Sequence, residues 1–262
     1  MNNSSVENWQ ESDINTDSLW LLDSRGKSGK HTNLYHGNFI PQIPNQLIRR
    51  YSKKKEVVLE LFSGSGTTLF ECEQLNRNYI GFDINKDIIK FVKSQMKGNK
   101  KIKFSLHSCD VADKKSFDRS ASKAIKSQNA KSVQFLLAHP PYMDIVKFTE
   151  LPEDLSSISD ITLFLNKIID VFKNALFYLD KDRYFAVVMG DVYKKSEVIP
   201  LGFCVMNAIK QNFKVKLKGI VVKNIEGNRG KIGAKGIWRY RALKSDYFLF
   251  KHEYIFVFKK EF

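Results

Sequence analysis

Cysteine is scarce in this 262-residue chain. Cys72, Cys109 and Cys204 are odd in number and far apart, which argues against a disulfide framework and a cysteine-built zinc site. No apolar run approaches the ~18 residues that a membrane-spanning helix requires, so no membrane partner is expected. The first residues, Met1 to Glu7, lack the basic-then-apolar pattern of a secretion signal. His31, His36 and His107 show no metal-ligand spacing, and no metal is expected. Acidic residues are outnumbered, with 28 Asp and Glu against 43 Lys and Arg, a net charge of +15. The first 24 residues hold five acids and no base, which leaves about +20 on the remainder. A charge of that size fits either a lysine-rich solvated surface or a polyanionic partner, usually nucleic acid.

Hydrophobic residues make up 43% of the chain, enough for one sizeable core. Residues 1–30 read as a polar arm anchored by Trp9, Trp20, Leu21 and Leu22, ending in the basic link Ser24–Lys30. Residues 31–262 read as one domain. Strands are expected at Val57–Phe62, Tyr79–Asp83, Ile102–His107, Val133–Ala138, Tyr184–Met189, Val215–Val222 and Tyr254–Phe258. Helical patterns lie between them, at 66–76, 86–97, 114–128, 161–176 and 199–211. The expected architecture is α/β, a seven-stranded, mostly parallel sheet with helices on both faces.

Two stretches carry chemistry. In Val57–Thr68 a buried strand runs into a turn holding Gly64 and Gly66 and then into a helix, where backbone donors can approach a ligand closely. Asp83 ends the second strand 17 residues beyond Gly66, a position suited to gripping a ribose diol. Leu69 stands where a dinucleotide fingerprint has its third glycine, which disfavours a nicotinamide cofactor. The second stretch, His139-Pro140-Pro141-Tyr142, follows the fourth strand, and its two prolines fix a rigid loop. In an open α/β sheet both stretches fall on the carboxyl edge of the strands, where ligands bind.

In this order, the two stretches resemble the S-adenosylmethionine-dependent amino-methyltransferases of DNA, the N6-adenine/N4-cytosine group. Phe62-x-Gly-x-Gly-Thr-Thr68 resembles that family's cofactor loop. The tetrapeptide resembles its catalytic (Asp/Asn/Ser)-Pro-Pro-aromatic motif, except that histidine stands first. The resemblance implies a Rossmann-like methyltransferase fold and S-adenosylmethionine as cofactor. The segment Phe39–Ile48 resembles the one that precedes the family's cofactor loop, which implies contacts to the methionine moiety from Pro41 and Ile43, together with Glu60, Phe62, Ser63, Gly64, Gly66 and Thr67. The resemblance further implies Asp83 and Ile84 at the ribose, and Asp110 and Val111 at the adenine. Asp110 also fits a helix cap before Lys114.

A base amine is a poor nucleophile because its lone pair is delocalised into the ring. Two acceptors holding both N–H bonds localise that lone pair. By resemblance these are the His139 side chain and the Pro140 carbonyl, with Tyr142 stacking on a base flipped from the duplex. Imidazolium offers no acceptor, so His139 is expected to act neutral, with the rate falling below roughly pH 6.5.

Residues 223–251, rich in glycine, aromatics and basic residues, read as a target-recognition insertion. Lys223, Arg229, Lys231, Lys235, Arg239 and Arg241 are its expected DNA contacts. Met143–Ser159 is the segment expected to close over the flipped base. The expected partner is double-stranded DNA in a cytoplasmic, nucleoid-associated setting. A cognate restriction endonuclease is a candidate second partner, and a monomer or homodimer the candidate assembly. Methylation of RNA amines, or nucleic-acid binding without catalysis, are the alternative readings. The base, adenine or cytosine, is left open.

Overall fold

The computed structural model describes residues 9–22, 24–26, 29–31, 38–225, 235–244 and 247–262. Ten strands occur among them. Eight form one sheet: β1 (Leu19–Trp20), β2 (Val57–Glu60), β3 (Asn78–Asp83), β4 (Phe104–Ser108), β5 (Val133–Ala138), β6 (Leu179–Met189), β9 (Val215–Asn224) and β10 (His252–Lys260). Their order is β1-β9-β10-β6-β5-β2-β3-β4, and β10 alone runs antiparallel to its neighbours. A separate hairpin comprises β7 (Val192–Lys194) and β8 (Glu197–Ile199). The helices are α1 (Gln42–Tyr51), α2 (Thr67–Leu75), α3 (Lys86–Gln95), α4 (Lys114–Ser127), α5 (Ile161–Leu176), α6 (Leu201–Asn212) and α7 (Lys235–Lys244).

The seven expected strands are present, and β1 extends the sheet to eight. Leu19 and Trp20 pair in parallel with Val222 and Lys223, so part of the polar arm is a sheet strand with Trp20 buried. Helices cover both faces. Ile43, Leu47, Leu69, Ile89 and Val92 from α1–α3 fill one side, and Phe117, Phe172, Val205 and Ile209 from α4–α6 the other. β2 is covered on both faces, hence its uninterrupted apolar run Val57-Val58-Leu59, fully buried, which ends in the buried Glu60.

Short polar residues punctuate the helices. Asn85, Asp113 and Asp160 accept backbone N–H bonds at the starts of α3, α4 and α5. The cap of α4 is therefore Asp113 rather than Asp110. Gly66 starts α2 at φ 84°, and a Cβ there would lie 2.6 Å from Val92, so both backbone and neighbour require glycine.

Candidate functional site

All the parallel strands end on one edge. β10 runs the other way, so its beginning lies on that same edge. This topology surrounds a cavity of about 570 Å³ with Glu60, Asp83, Asp110 and His139 from the ends of β2, β3, β4 and β5, and with Lys223 and Glu253 from β9 and β10.

One half of the cavity is a polar cradle. Phe62, Ser63, Gly64 and Thr67 line it, with Ile84 and Val111. Asp83 accepts the Gly64 N–H at 2.8 Å and the Asn85 N–H at 2.9 Å, which fixes its carboxyl at the glycine turn. Burial pushes its pKa up to about 6 against those two hydrogen bonds. Glu60 is buried, and the hydroxyls of Thr68 and Tyr79 donate to it. Burial carries its pKa up to about 8 despite both bonds. Asp110 accepts the N–H of Ala112 at 2.8 Å. Ser63 Oγ is buried with no hydrogen-bond partner among the described residues. An orphan hydroxyl, a glycine turn and a carboxylate at a strand end are the donor and acceptor set that a nucleoside bearing an amino-acid tail requires, so S-adenosylmethionine fits this cradle.

The other half is built around the tetrapeptide. His139 and Tyr142 line the cavity, with the prolines between them. His139 lies 5.0 Å from Phe39, ring centre to ring centre, and its Nε2 is 3.3 Å from Tyr142 Oη. The Tyr142 hydroxyl donates to Glu253 Oε2 at 3.1 Å, and Lys223 Nζ donates to Glu253 Oε1 at 3.0 Å. Lys223 and Glu253 are directly opposed across β9 and β10, with side chains only 6% and 9% exposed. Tyr142 also lies against Gly190, where an added Cβ would come within 2.9 Å of its ring. Burial depresses the His139 pKa, an effect that Glu253 opposes and Lys223 reinforces. Burial, followed by Glu253, drives the Tyr142 pKa well up.

Several expected positions lie elsewhere. Pro41 precedes α1 and Ile43 is fully buried in it, and neither lines the cavity; Asn38, Phe39 and Ile40, just before that helix, do. Gly66 shapes the turn without lining the cavity. Lys223, expected on the DNA-contact surface, is instead in the cavity wall, because its strand register sets it against Glu253. Arg229 and Lys231 fall outside the described residues, as does the side chain of Lys235. Arg239 and Arg241 are exposed on α7, a helix within the segment read as a target-recognition insertion. Met143–Ser159 does border the cavity, through Val146, Phe148 and Leu155 among others. Its Asp154 is buried, accepting from Thr149 and the Ser156 N–H.

Sequence reasoning missed Glu253, Gly190 and Asn38. A signal for the first was present. Lys223 and Glu253 flank the connection between two adjacent strands, and opposite charges at such a stem pair across it. Among the described residues no group of three His, Cys, Asp or Glu is placed to hold a metal ion, and no helix is long and apolar enough to cross a membrane.

A family model described as a methyltransferase domain matches residues 52–197. A second, described as a DNA methylase of the N6/N4 group, matches residues 1–94. Type II methyltransferase M.BglI of Bacillus subtilis is 32% identical over 105 residues, covering 37% of this chain and 28% of that protein. Type II methyltransferase M1.MboII of Moraxella bovis is 36% identical over 76 residues, covering 28% and 29%. The chain thus spans less than a third of the length of these curated relatives. Among solved structures, TrmN from Thermus thermophilus matches with a TM-score of 0.52 at 14% identity, over 86% of this chain and 50% of that one. A methyltransferase homologue from Pyrococcus horikoshii also gives 0.52, at 11% identity, over 84% and 66%. At such identities the likeness is one of fold.

Proposed function

The chain belongs to the methyltransferase-domain family, and from that premise we propose that it methylates the exocyclic amine of a base in double-stranded DNA. Its cofactor is S-adenosylmethionine. The observation that carries the proposal is the meeting of His139 and Pro140 with Asp83 and Gly64 around one cavity.

The bound cofactor supplies an electrophilic methyl group on a sulfonium. The chain's own residues do the rest. Asp83 holds the ribose of the nucleoside end, and the Ser63–Gly64 backbone, with Glu60 and Thr67, faces the amino-acid end. The Pro140 carbonyl and a neutral His139 nitrogen would accept the two N–H bonds of the amine, localising its lone pair for attack. The amine sheds one proton as it gains the methyl, and His139 is placed to receive it. Burial lowers the His139 pKa, which keeps the ring neutral at physiological pH. A base buried in pairing must be flipped out to reach this site, and Tyr142 offers a stacking surface worth about 1–3 kcal/mol. The exposed arginines of α7, Arg239 and Arg241, are the phosphate contacts we assign, and a type II restriction–modification system is the proposed setting.

Mass spectrometry of nucleosides from unmethylated DNA incubated with the protein and cofactor tests this reading. N6-methyladenine or N4-methylcytosine is expected. No methylated base on varied duplexes, with cofactor binding demonstrated, would overturn it, and a parallel incubation with RNA would reveal an RNA substrate.

A further inference from the structure

The cavity wall contains an ion pair that the methyl-transfer chemistry does not call for. Lys223 and Glu253 sit side by side at the cavity edge, almost fully removed from water. A buried pair of this kind adds little net stability, because desolvation offsets the attraction. Its consequence for the neighbouring groups is sharper, because each can hydrogen-bond in only one direction.

Lysine only donates, so Glu253 Oε1 accepts. Ion-paired with that lysine, Glu253 is ionised and can only accept at Oε2 as well. Tyr142 has one hydroxyl proton and must give it to Glu253. The tyrosine oxygen therefore meets His139 Nε2 with a lone pair, and only an N–H can satisfy it. A neutral imidazole carries one N–H. We infer that Lys223, Glu253 and Tyr142 form a positioning relay that locks His139 as the Nε2–H tautomer, so that Nδ1 is the acceptor offered to the substrate amine. The final clause rests on the amine-methylation reading; the tautomer does not. The relay supplies what the usual acceptor side chains of this motif have inherently, since a histidine in its other tautomer would present a donor at Nδ1.

The test is a long-range ¹H–¹⁵N correlation spectrum of histidine-labelled protein at pH 7.5, with His139 assigned by the loss of its signals in His139→Asn. The wild type should show the Nε2–H pattern. Glu253→Gln should reverse it. The glutamine carbonyl must face Lys223, its amide then donates to Tyr142, and the tyrosine proton turns onto Nε2, leaving Nδ1–H. Tyr142→Phe, which keeps the ion pair and the ring, should give a mixture of tautomers, and it serves alone if Glu253→Gln does not fold. A wild-type Nδ1–H pattern, or variants that keep the wild-type pattern, would overturn the relay. No substrate is needed, so a failed methylation assay and a failed relay are separate results.

Where methylation is observed, kcat should fall about 10- to 100-fold in Glu253→Gln, less in Tyr142→Phe, with KM for DNA little changed. In His139→Asn, whose Oδ1 accepts whatever its neighbours do, Glu253→Gln should cost less than about twofold. Equal losses in both backgrounds would reduce Glu253 to a structural residue and defeat the proposal.

Discussion

Two histidine–tyrosine–carboxylate chains meet on adjacent residues of β10. One runs from His139 through Tyr142 to Glu253. The other runs from His252, whose Nε2 is 2.9 Å from Tyr254 Oη, to Asp191 Oδ2, which accepts the Tyr254 hydroxyl at 3.2 Å. Side chains alternate along a strand, so Glu253 faces one way and His252 and Tyr254 the other. Each tyrosine lies against a glycine whose Cβ would approach it to 2.9 Å, Gly190 for Tyr142 and Gly202 for Tyr254. Both phenols are held protonated, mainly by burial, Tyr142 well above its ordinary value and Tyr254 at about 12.

The difference lies in where each chain ends. The first carboxylate is met by a buried lysine, and its histidine lines the cavity. The second carboxylate accepts the N–H of Gly202 in the first turn of α6, and neither His252 nor Tyr254 lines the cavity. The same three groups thus tie down a helix in one place and shape an acceptor in the other. A triad of residue types is not a site until it opens on a space a ligand can enter.

Alanine at each histidine gives the largest contrast. His139→Ala should lower methyl transfer by on the order of 10³-fold, and His252→Ala by no more than about twofold. Similar losses in a single-turnover assay would erase the distinction between the two chains. Alanine at each glycine comes next. Both changes overpack a tyrosine and should lower stability by about 1–3 kcal/mol in denaturant unfolding. Only Gly190→Ala should also lower kcat per folded molecule, because only Tyr142 touches His139.

A third prediction separates binding from turnover. Asp83→Asn should weaken cofactor affinity about 10- to 100-fold by calorimetry, the range for losing hydrogen bonds to a charged group. A milder version follows from pH. Asp83 is ionised only above about 6, so cofactor affinity should weaken as pH falls through that value. With cofactor saturating, kcat should follow His139 instead, holding level to a pH below 6.5 and then declining as the ring gains a proton. That places the inflection lower than the sequence alone suggested. The smallest effect concerns two kinds of cation. Replacing the exposed Arg239 and Arg241 with alanine should flatten the salt dependence of DNA binding by up to about 0.9 for each phosphate no longer neutralised. Lys223→Met should leave that slope unchanged, since its charge is satisfied within the wall.

The polar cradle of the candidate site was legible as a meeting place in the sequence because its parts are local. A buried strand, a glycine turn and an aspartate at the next strand end lie within 27 residues, Val57 to Asp83, and each leaves its own pattern. The tetrapeptide was legible for the same reason. Its supporting wall was not. Tyr142 and Glu253 are 111 residues apart, and only the antiparallel direction of β10 brings them together. Pro41 and Ile43 were expected at the ligand because the segment resembles one that is, but the helix starting at Gln42 turns Ile43 into the core. β1 is two residues long, too short for any periodicity. The helix α7 was obscured by glycines that precede and enter it.

The position of β10 has a consequence for how the molecule is assembled. It is the last of the described strands along the chain, yet it lies between β6 and β9 rather than at an edge. Until it arrives, two long strands present open edges to one another and to other chains, an aggregation hazard during synthesis. Asn224, at the end of β9, grips both the N–H and the carbonyl of Leu22, 202 residues earlier, so the arm is also tied to a strand made much later. A nascent chain that already carries the glycine turn and the tetrapeptide therefore lacks both Glu253 and its sheet's closure. Non-local pairing of this kind is the slow kind, and the wall behind His139 is complete only once β10 has paired between β6 and β9.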